Sequence, residues 1–448
     1  MNGYEFIMSI DITFSAQSKN IDNEISAVKY MAGEKYLIDE IAKEKSHILY
    51  FEFCCYGKFE LVFSRSLNQI ICVCQTNLAG PGFHAYIVDF LEKFAQAYNL
   101  SFNIDDETNY FTHRNFEQLQ EHFNGWLRGL INTSLTQLNS ENYSSLIICW
   151  NESFFPINRA ETVITPMGRF PIAKLSEYCQ SQDSIKEFAK EFFVWNELEK
   201  DARFYRNNAL VILWAKCCFM PSSRSNFDAI INGKIISLLE KAAACDSSLP
   251  FPKREYSELC KLHGVNENPI VDSTPDYSFV ESIGYRKEQV RYYIGNLIIT
   301  ISGNYLAERQ KQGDHVWYDG RGLVEGWHEL RLSAFKGKKT ESKFFPPLFD
   351  GAVEKPIILN LQGLKCKAAY IGKAEKLFKN KPYYSVVAQA NSHKQICLLT
   401  LSFDKESEKD WAFAILKNIT AIPPDEKELQ EQSLLSYIFN FITRYWRK

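Results

Sequence analysis

Residues 80–99 read GPGFHAYIVDFLEKFAQAYN, a rigid Gly-Pro-Gly corner joined to a helix whose apolar side can be followed residue by residue. Phe83, Tyr86, Ile87, Phe90, Leu91, Phe94, Ala97 and Tyr98 fall on one side of a 3.6-residue spiral, opposite Asp89, Glu92 and Gln96, which predicts a buried scaffold helix. Two strand-like runs, KFELVF (58–63) and NQIICVCQTN (68–77), lead straight into it. The stretch thus predicts a strand-to-helix corner inside a mixed α/β unit. It carries no signature of a reaction.

Working outward, residues 1–46 are polar and mixed, with a candidate helix over 34–45, and read as a lead-in. The first domain is expected over 47–155. HILYFEFCCYGKFELVF (47–63) supplies paired strands and LSFNID (100–105) a return strand. Residues 115–138 carry Phe116, Leu119, Phe123, Trp126, Leu127, Leu130 and Ile131 at helical spacing, and SSLIICW (144–150) supplies another strand. This alternation predicts an α/β sandwich, with parallel and antiparallel pairing both open. Residues 156–270 read as an α-rich region packed on that domain, 271–284 as a linker, 285–422 as an antiparallel sheet with one packed helix (408–419), and 423–448 as an amphipathic C-terminal helix. The fold class expected is a multi-domain α+β / α/β chain.

At 448 residues the chain is too long for one ordinary core, and its 46% hydrophobic content places it among ordered proteins. A formal net charge of −3 supplies no general field to attract phosphates, so no nucleic-acid partner is expected. The amino terminus lacks a secretory signal pattern and no run reaches the length of a membrane span, which predicts a cytoplasmic protein without a transmembrane segment. The 12 cysteines include no CxxC pair and read as reduced, buried thiols.

The order of elements over 285–420, with paired strands, turns, a last hairpin and a terminal helix, resembles the PsbP/DcrB-like fold, whose bacterial members include the Eag-type chaperones of type VI secretion. GPGFHAYIVDFL, FTHRNFEQLQ, TPMGRF and WNELEKDARFYRNNALVILW followed by LPFP, spanning 80–263, resemble a set of uncharacterised bacterial proteins encoded near toxins or secretion systems. The first resemblance implies a chaperone-like role for the C-terminal region. The second implies a lineage and no activity.

Candidate chemistry is sparse. His84 stands in the first turn of the helix after Gly82, where the helix dipole favours a neutral imidazole able to act as base or ligand. Asp89, five residues on, is about 140° round the helix and on another face; the alternative is a histidine bordering the core and bonded to a backbone group. The segment DDETNYFTHR (105–114) gathers Asp105, Asp106, Glu107 and His113, donors suited to a divalent ion, without EF-hand or HExxH spacing. A metal-assisted hydrolase built on that loop, with His84, Asp106 and His113 as catalytic groups, is therefore the alternative function. Glu197 and Asp201 share a helix face, which also reads as a solvated row with a Glu199–Arg203 pair. No GxSxG elbow, phosphate loop or dinucleotide fingerprint occurs, and no cofactor is expected.

The leading expectation is a non-enzymatic protein-binding factor, either a toxin-immunity protein or an effector-associated chaperone or adaptor of a secretion system. Its contact residues would be Trp317, Tyr318, Arg321 and Trp327 around the glycine turns, with Phe439 and Trp446 on the C-terminal tail, where protein-partner docking and membrane-surface contact compete with self-packing.

Overall fold

The computed structural model describes residues 9–141, 145–149, 154–156, 161–278, 284–310, 314–319, 326–336, 345–374, 382–392 and 395–421. The N-terminal part runs β1 (Asp11–Gln17), α1 (Ile21–Ala32), β2 (Leu37–Ala42), β3 (Ser46–Cys54), β4 (Gly57–Ser64), β5 (Gln69–Gln75), α2 (Pro81–Ala97), β6 (Ser101–Asp106), α3 (Tyr110–His113) and α4 (Phe116–Glu141). Its six strands form one antiparallel sheet in the order β2-β3-β4-β5-β1-β6.

The sheet has one dry and one wet face. Ile12, Phe14, Leu49, Phe51, Phe59, Leu61, Phe63, Ile70 and Cys72 point into the core beneath α2, where the rings of Phe53, Phe59, Tyr86 and Phe90 meet. Period-two alternation sends Thr13, Tyr50, Glu60, Val73 and Asp105 to the opposite face, and these five stand in one row across the sheet.

This arrangement corrects the expectation of a lead-in over 1–46. β1 lies between β5 and β6 inside the sheet, and Ile10, Ile12, Phe14 and Ala16 are buried. The run DITFSAQ hides three core residues between polar neighbours, so composition alone reads it as solvent-facing. The helix expected over 34–45 is instead a 3-10 turn, Glu34–Tyr36, followed by β2. Pairing in the sheet is antiparallel throughout.

The Gly-Pro-Gly corner behaves as its sequence predicts, for a reason visible only in three dimensions. Gly80 has φ +109°, and a Cβ there would lie 2.6 Å from the carbonyl oxygen of Trp195. At Gly82 a Cβ would lie 2.1 Å from the Glu197 carbonyl oxygen and 2.2 Å from the Trp195 ring. Backbone bonds from Gly82 N to Trp195 O (2.9 Å) and from Trp195 N to Ala79 O (2.8 Å) hold the two segments together.

The next elements are β7 (Ser145–Ile147), β8 (Phe154–Pro156), β9 (Thr162–Thr165), β10 (Gly168–Pro171), α5 (Ile172–Tyr178), α6 (Gln182–Phe192), α7 (Ala202–Ala215), α8 (Asn226–Cys245) and α9 (Lys253–His263). Five of these elements are helices, and their apolar residues share one core with the N-terminal sheet. That core includes Val271 and Tyr277, so the expected linker is tied down over its first half, with Tyr277 N bonded to Phe251 O at 2.8 Å.

The C-terminal part comprises β11 (Gln289–Ile294), β12 (Leu297–Ser302), β13 (Leu306–Arg309), β14 (His315–Asp319), β15 (His328–Lys336), β16 (Ile357–Leu361), β17 (Leu364–Lys373), β18 (Tyr384–Asn391), β19 (Gln395–Phe403), α10 (Lys409–Lys417) and β20 (Thr420–Ala421). Seven strands form an antiparallel sheet, β13-β14-β15-β19-β18-β17-β16, and β20-β12-β11-β8 form a second. Both share a core with Ala412, Leu416 and Ile419, in and just after α10. Strand β8 crosses from the preceding region to pair with β11, and Ile147, Ile164, Trp214 and Ala215 join the same core, so the boundary near 285 is crossed by both strand pairing and packing. The chain is a mixed α+β, multi-domain fold.

Candidate binding cleft

The acid and histidine singled out in the sequence meet, but out of reach of solvent. His84 and Asp106 have side chains 0% and 2% exposed, and His84 Nε2 lies 3.0 Å from Asp106 Oδ1. Asp106 Oδ1 also accepts from the hydroxyl of Thr108 (2.7 Å) and its backbone N–H (2.9 Å), while Oδ2 accepts from Phe111 N (2.8 Å). Against the upward pull of burial, His84 and these donors hold the Asp106 carboxyl well below the ordinary carboxylate range. On the other ring edge, His84 Nδ1 lies 2.9 Å from Thr76 Oγ1, which donates to Ile10 O at 3.0 Å. Phe123 and Tyr110 meet the imidazole edge-on. The chain Thr76–His84–Asp106–Thr108 ties the end of β5, the start of α2 and the β6–α3 turn into one unit.

The remaining residues of the acidic loop do not gather around that pair. Asp105 projects from the open face of the sheet and Asp106 into the core, because consecutive strand residues point oppositely. Glu107 is exposed, with its carboxyl raised by burial and by the charge of Asp11, and His113 is exposed at the end of α3. Arg114 bonds Asp89 and Glu92 on α2. Among the described residues no group of three or more His, Cys, Asp or Glu side chains is placed to hold a metal ion.

The tryptophans expected to contact a partner are interior. Trp317 and Trp327 are each 1% exposed, and Trp317 meets Tyr292 edge-on at 5.1 Å. Val316 and Trp317 are buried at successive positions of β14, so both faces of the strand are covered there, and Trp317 and Trp327 are core residues, which corrects their assignment as surface anchors. Tyr318 is half-buried, its hydroxyl donating to Glu308 at 2.7 Å. Arg321, Phe439 and Trp446 lie outside the described residues.

Accessible space opens elsewhere. A cleft of about 470 Å³ lies where the open face of β3, β4 and β5 meets the C-terminal end of α7, lined by Ile38, Tyr50, Glu52, Cys55, Lys58, Glu60, Val73, Gln75, Asn77, Val211, Ala215 and Lys216 among others. Its walls are fixed by the fold. Tyr56, at φ +61°, turns the β3–β4 hairpin, and Cys55 N donates to Asn208 Oδ1 of α7 at 2.9 Å, fastening the hairpin to the helix. Thr76, held by His84 underneath, is followed directly by Asn77 in the lining. Burial pushes the Cys55 thiol up to about 11, so it stays protonated and unreactive near neutral pH. A second groove of about 450 Å³ between α4 and α6 carries Glu117, Glu121, Asp183, Glu187 and Glu197 with Lys186 and Lys190.

Neither the protein-family models nor the curated proteins include a match to this chain. A solved structure from Bacteroides thetaiotaomicron VPI-5482 aligns at 16% identity over 30% of this chain and 47% of that one, with a TM-score of 0.23. The chain therefore spans about half the length of that structure. No helix among the described residues is long and apolar enough to cross a membrane.

Sequence reasoning did not find Tyr50, Glu60, Val73 or Asn77. The first three were legible as the outward phase of alternating strands, since HILYFEF, KFELVF and NQIICVCQ each offer one face to water. Asn77 carried no such signal, because its isolation depends on how the β5–α2 corner seats against the rest of the chain.

Proposed function

We propose that this chain is a non-enzymatic protein-binding factor that engages its partner through the open face of the six-stranded sheet. The observation that carries the reading is the separation of chemistry from access. His84 and Asp106, two of the catalytic candidates of the alternative reading, are sealed together in the core, while the accessible cleft offers apolar, aromatic and amide groups with carboxylates and lysines at its sides. Val73 and Ile38 are 39% and 50% exposed there, apolar surface of the kind that contact with another protein covers. A role as toxin-immunity protein or effector-associated chaperone is the form we favour, supported by the resemblance of residues 285–420 to a chaperone-containing fold.

The test is affinity capture from the native host with the wild-type chain and with Val73→Arg. A partner retained by the wild type and lost by the variant supports the reading; no stable protein partner overturns it. The hydrolase alternative is separable by metal analysis and by His113→Ala. Unchanged biological activity with no bound metal disposes of it.

A further inference from the structure

The cleft holds two polar groups left unsatisfied among the described residues. Asn77 is 4% exposed, yet its amide oxygen is buried without a hydrogen-bond partner there. Native chains rarely leave such a group orphaned, and a bound ligand is one physical reason to do so. Glu60 lines the same cleft, half-buried, with neither an ion pair nor a hydrogen bond among the described residues, and burial alone pushes its carboxyl upward. The cations nearby are otherwise placed. Lys58 lies 3.5 Å from Glu52, and Lys216 stands at the C-terminal end of α7, where the helix dipole favours a positive charge.

These two groups ask for different things. A primary amide both donates and accepts, which matches a peptide unit; a half-buried carboxylate without an ion pair attracts a cation. Exposed Val73 beside Glu60 in the sheet row suits the flanking side chains of an extended segment. We infer that the cleft receives an extended segment of the partner protein, whose main chain pairs with the amide of Asn77 and whose Arg or Lys side chain pairs with Glu60. This inference rests on the protein-binding reading and names what that site recognises.

The experiment selects a heptapeptide phage library on the immobilised full-length chain. Synthetic copies of the strongest binders are then titrated by fluorescence anisotropy against wild type, Glu60→Gln and Asn77→Ala. The selected peptides share a basic residue, and Glu60→Gln weakens them about tenfold or more, as does replacing the peptide's Arg by citrulline or its Lys by norleucine. Those peptide replacements need only wild-type protein, so the Glu60 contact is tested even if Asn77→Ala folds poorly. Selected peptides without basic residues, affinity indifferent to Glu60→Gln, or no selected peptide would each overturn the inference. If a partner is still captured through position 73 in that event, the protein-binding reading survives its loss.

Discussion

His84 Nε2 lies 3.0 Å from Asp106 Oδ1 across a 22-residue gap in sequence, and both side chains are shut away from water. A buried carboxylate with an imidazole and three further donors is a structural element, fastening a strand end to a helix start. Its loss is predicted to act on stability. Asp106→Leu, which leaves His84 and the Thr108 hydroxyl without their acceptor, is expected to cost about 3–5 kcal/mol at neutral pH, read by denaturant unfolding.

The same carboxyl gives a pH dependence of defined sign. Its pKa is lower in the folded chain than in the unfolded one, so the unfolded chain binds more protons in acid. The contribution is fully present above the unfolded value of about 4 and fades as pH falls below it. Stability measured from pH 7 to pH 3 should therefore fall more steeply in wild type than in Asp106→Leu, the two curves converging in acid. Parallel curves would mean that the Asp106 carboxylate contributes nothing to stability.

Two glycine substitutions are predicted to act oppositely. Gly82→Ala must displace the Glu197 carbonyl or the Trp195 ring and is expected to cost about 1–3 kcal/mol. Gly125 lies inside α4, where an added methyl group would meet nothing within 4 Å, so Gly125→Ala is expected to stabilise by about 1 kcal/mol through helix propensity. Paired thermal unfolding curves check both.

Arg224 joins the two halves of the molecule. Its guanidinium bonds Asp228 at 2.7 Å through two nitrogens, Asp319 at 2.9 Å and the Asn304 carbonyl at 3.0 Å, all with the arginine nearly buried. Arg224→Ala strands the Asp228 carboxylate and is expected to cost about 3–5 kcal/mol. If the arginine couples the halves, the variant should also unfold in two resolved transitions by calorimetry, where wild type shows a tighter one.

Thiol accessibility offers a chemical check on the packing. Of the 12 cysteines, Cys245 alone is exposed, with Cys55 and Cys179 half-buried. Titration with an aromatic disulfide reagent should show one fast-reacting thiol in the native chain, lost in Cys245→Ser, and all 12 after denaturation. Several fast thiols would mean the core is more open than described.

How far the sequence could be read depended on whether a feature was local. Helix α2 was legible because its apolar spacing and its Gly-Pro-Gly start sit in one stretch, and the 408–419 helix for the same reason. β1 was not, since three buried residues among polar ones look like a solvated segment until β5 and β6 flank it. Asp89 was correctly separated from His84 by helix geometry, yet the true partner, Asp106, was invisible as such because the pairing is set by where β6 docks against β1. The surface tryptophans failed for a related reason: an aromatic beside a glycine turn marks a contact site or a core edge equally well, and only the packing of distant segments around it decides. Asn77 was beyond reach, as a missing partner cannot be read from residues in order.

Our proposal is that the open face of the sheet, and not a buried polar pair, is where this protein acts. Its most direct test replaces Val73 with a photo-crosslinking benzoylphenylalanine in the native host, with Tyr30, 87% exposed on α1, as the control position. The account predicts one discrete protein adduct from position 73, competed away by excess wild-type chain, and none from position 30. Equal adducts from both positions, or none from 73, would contradict it.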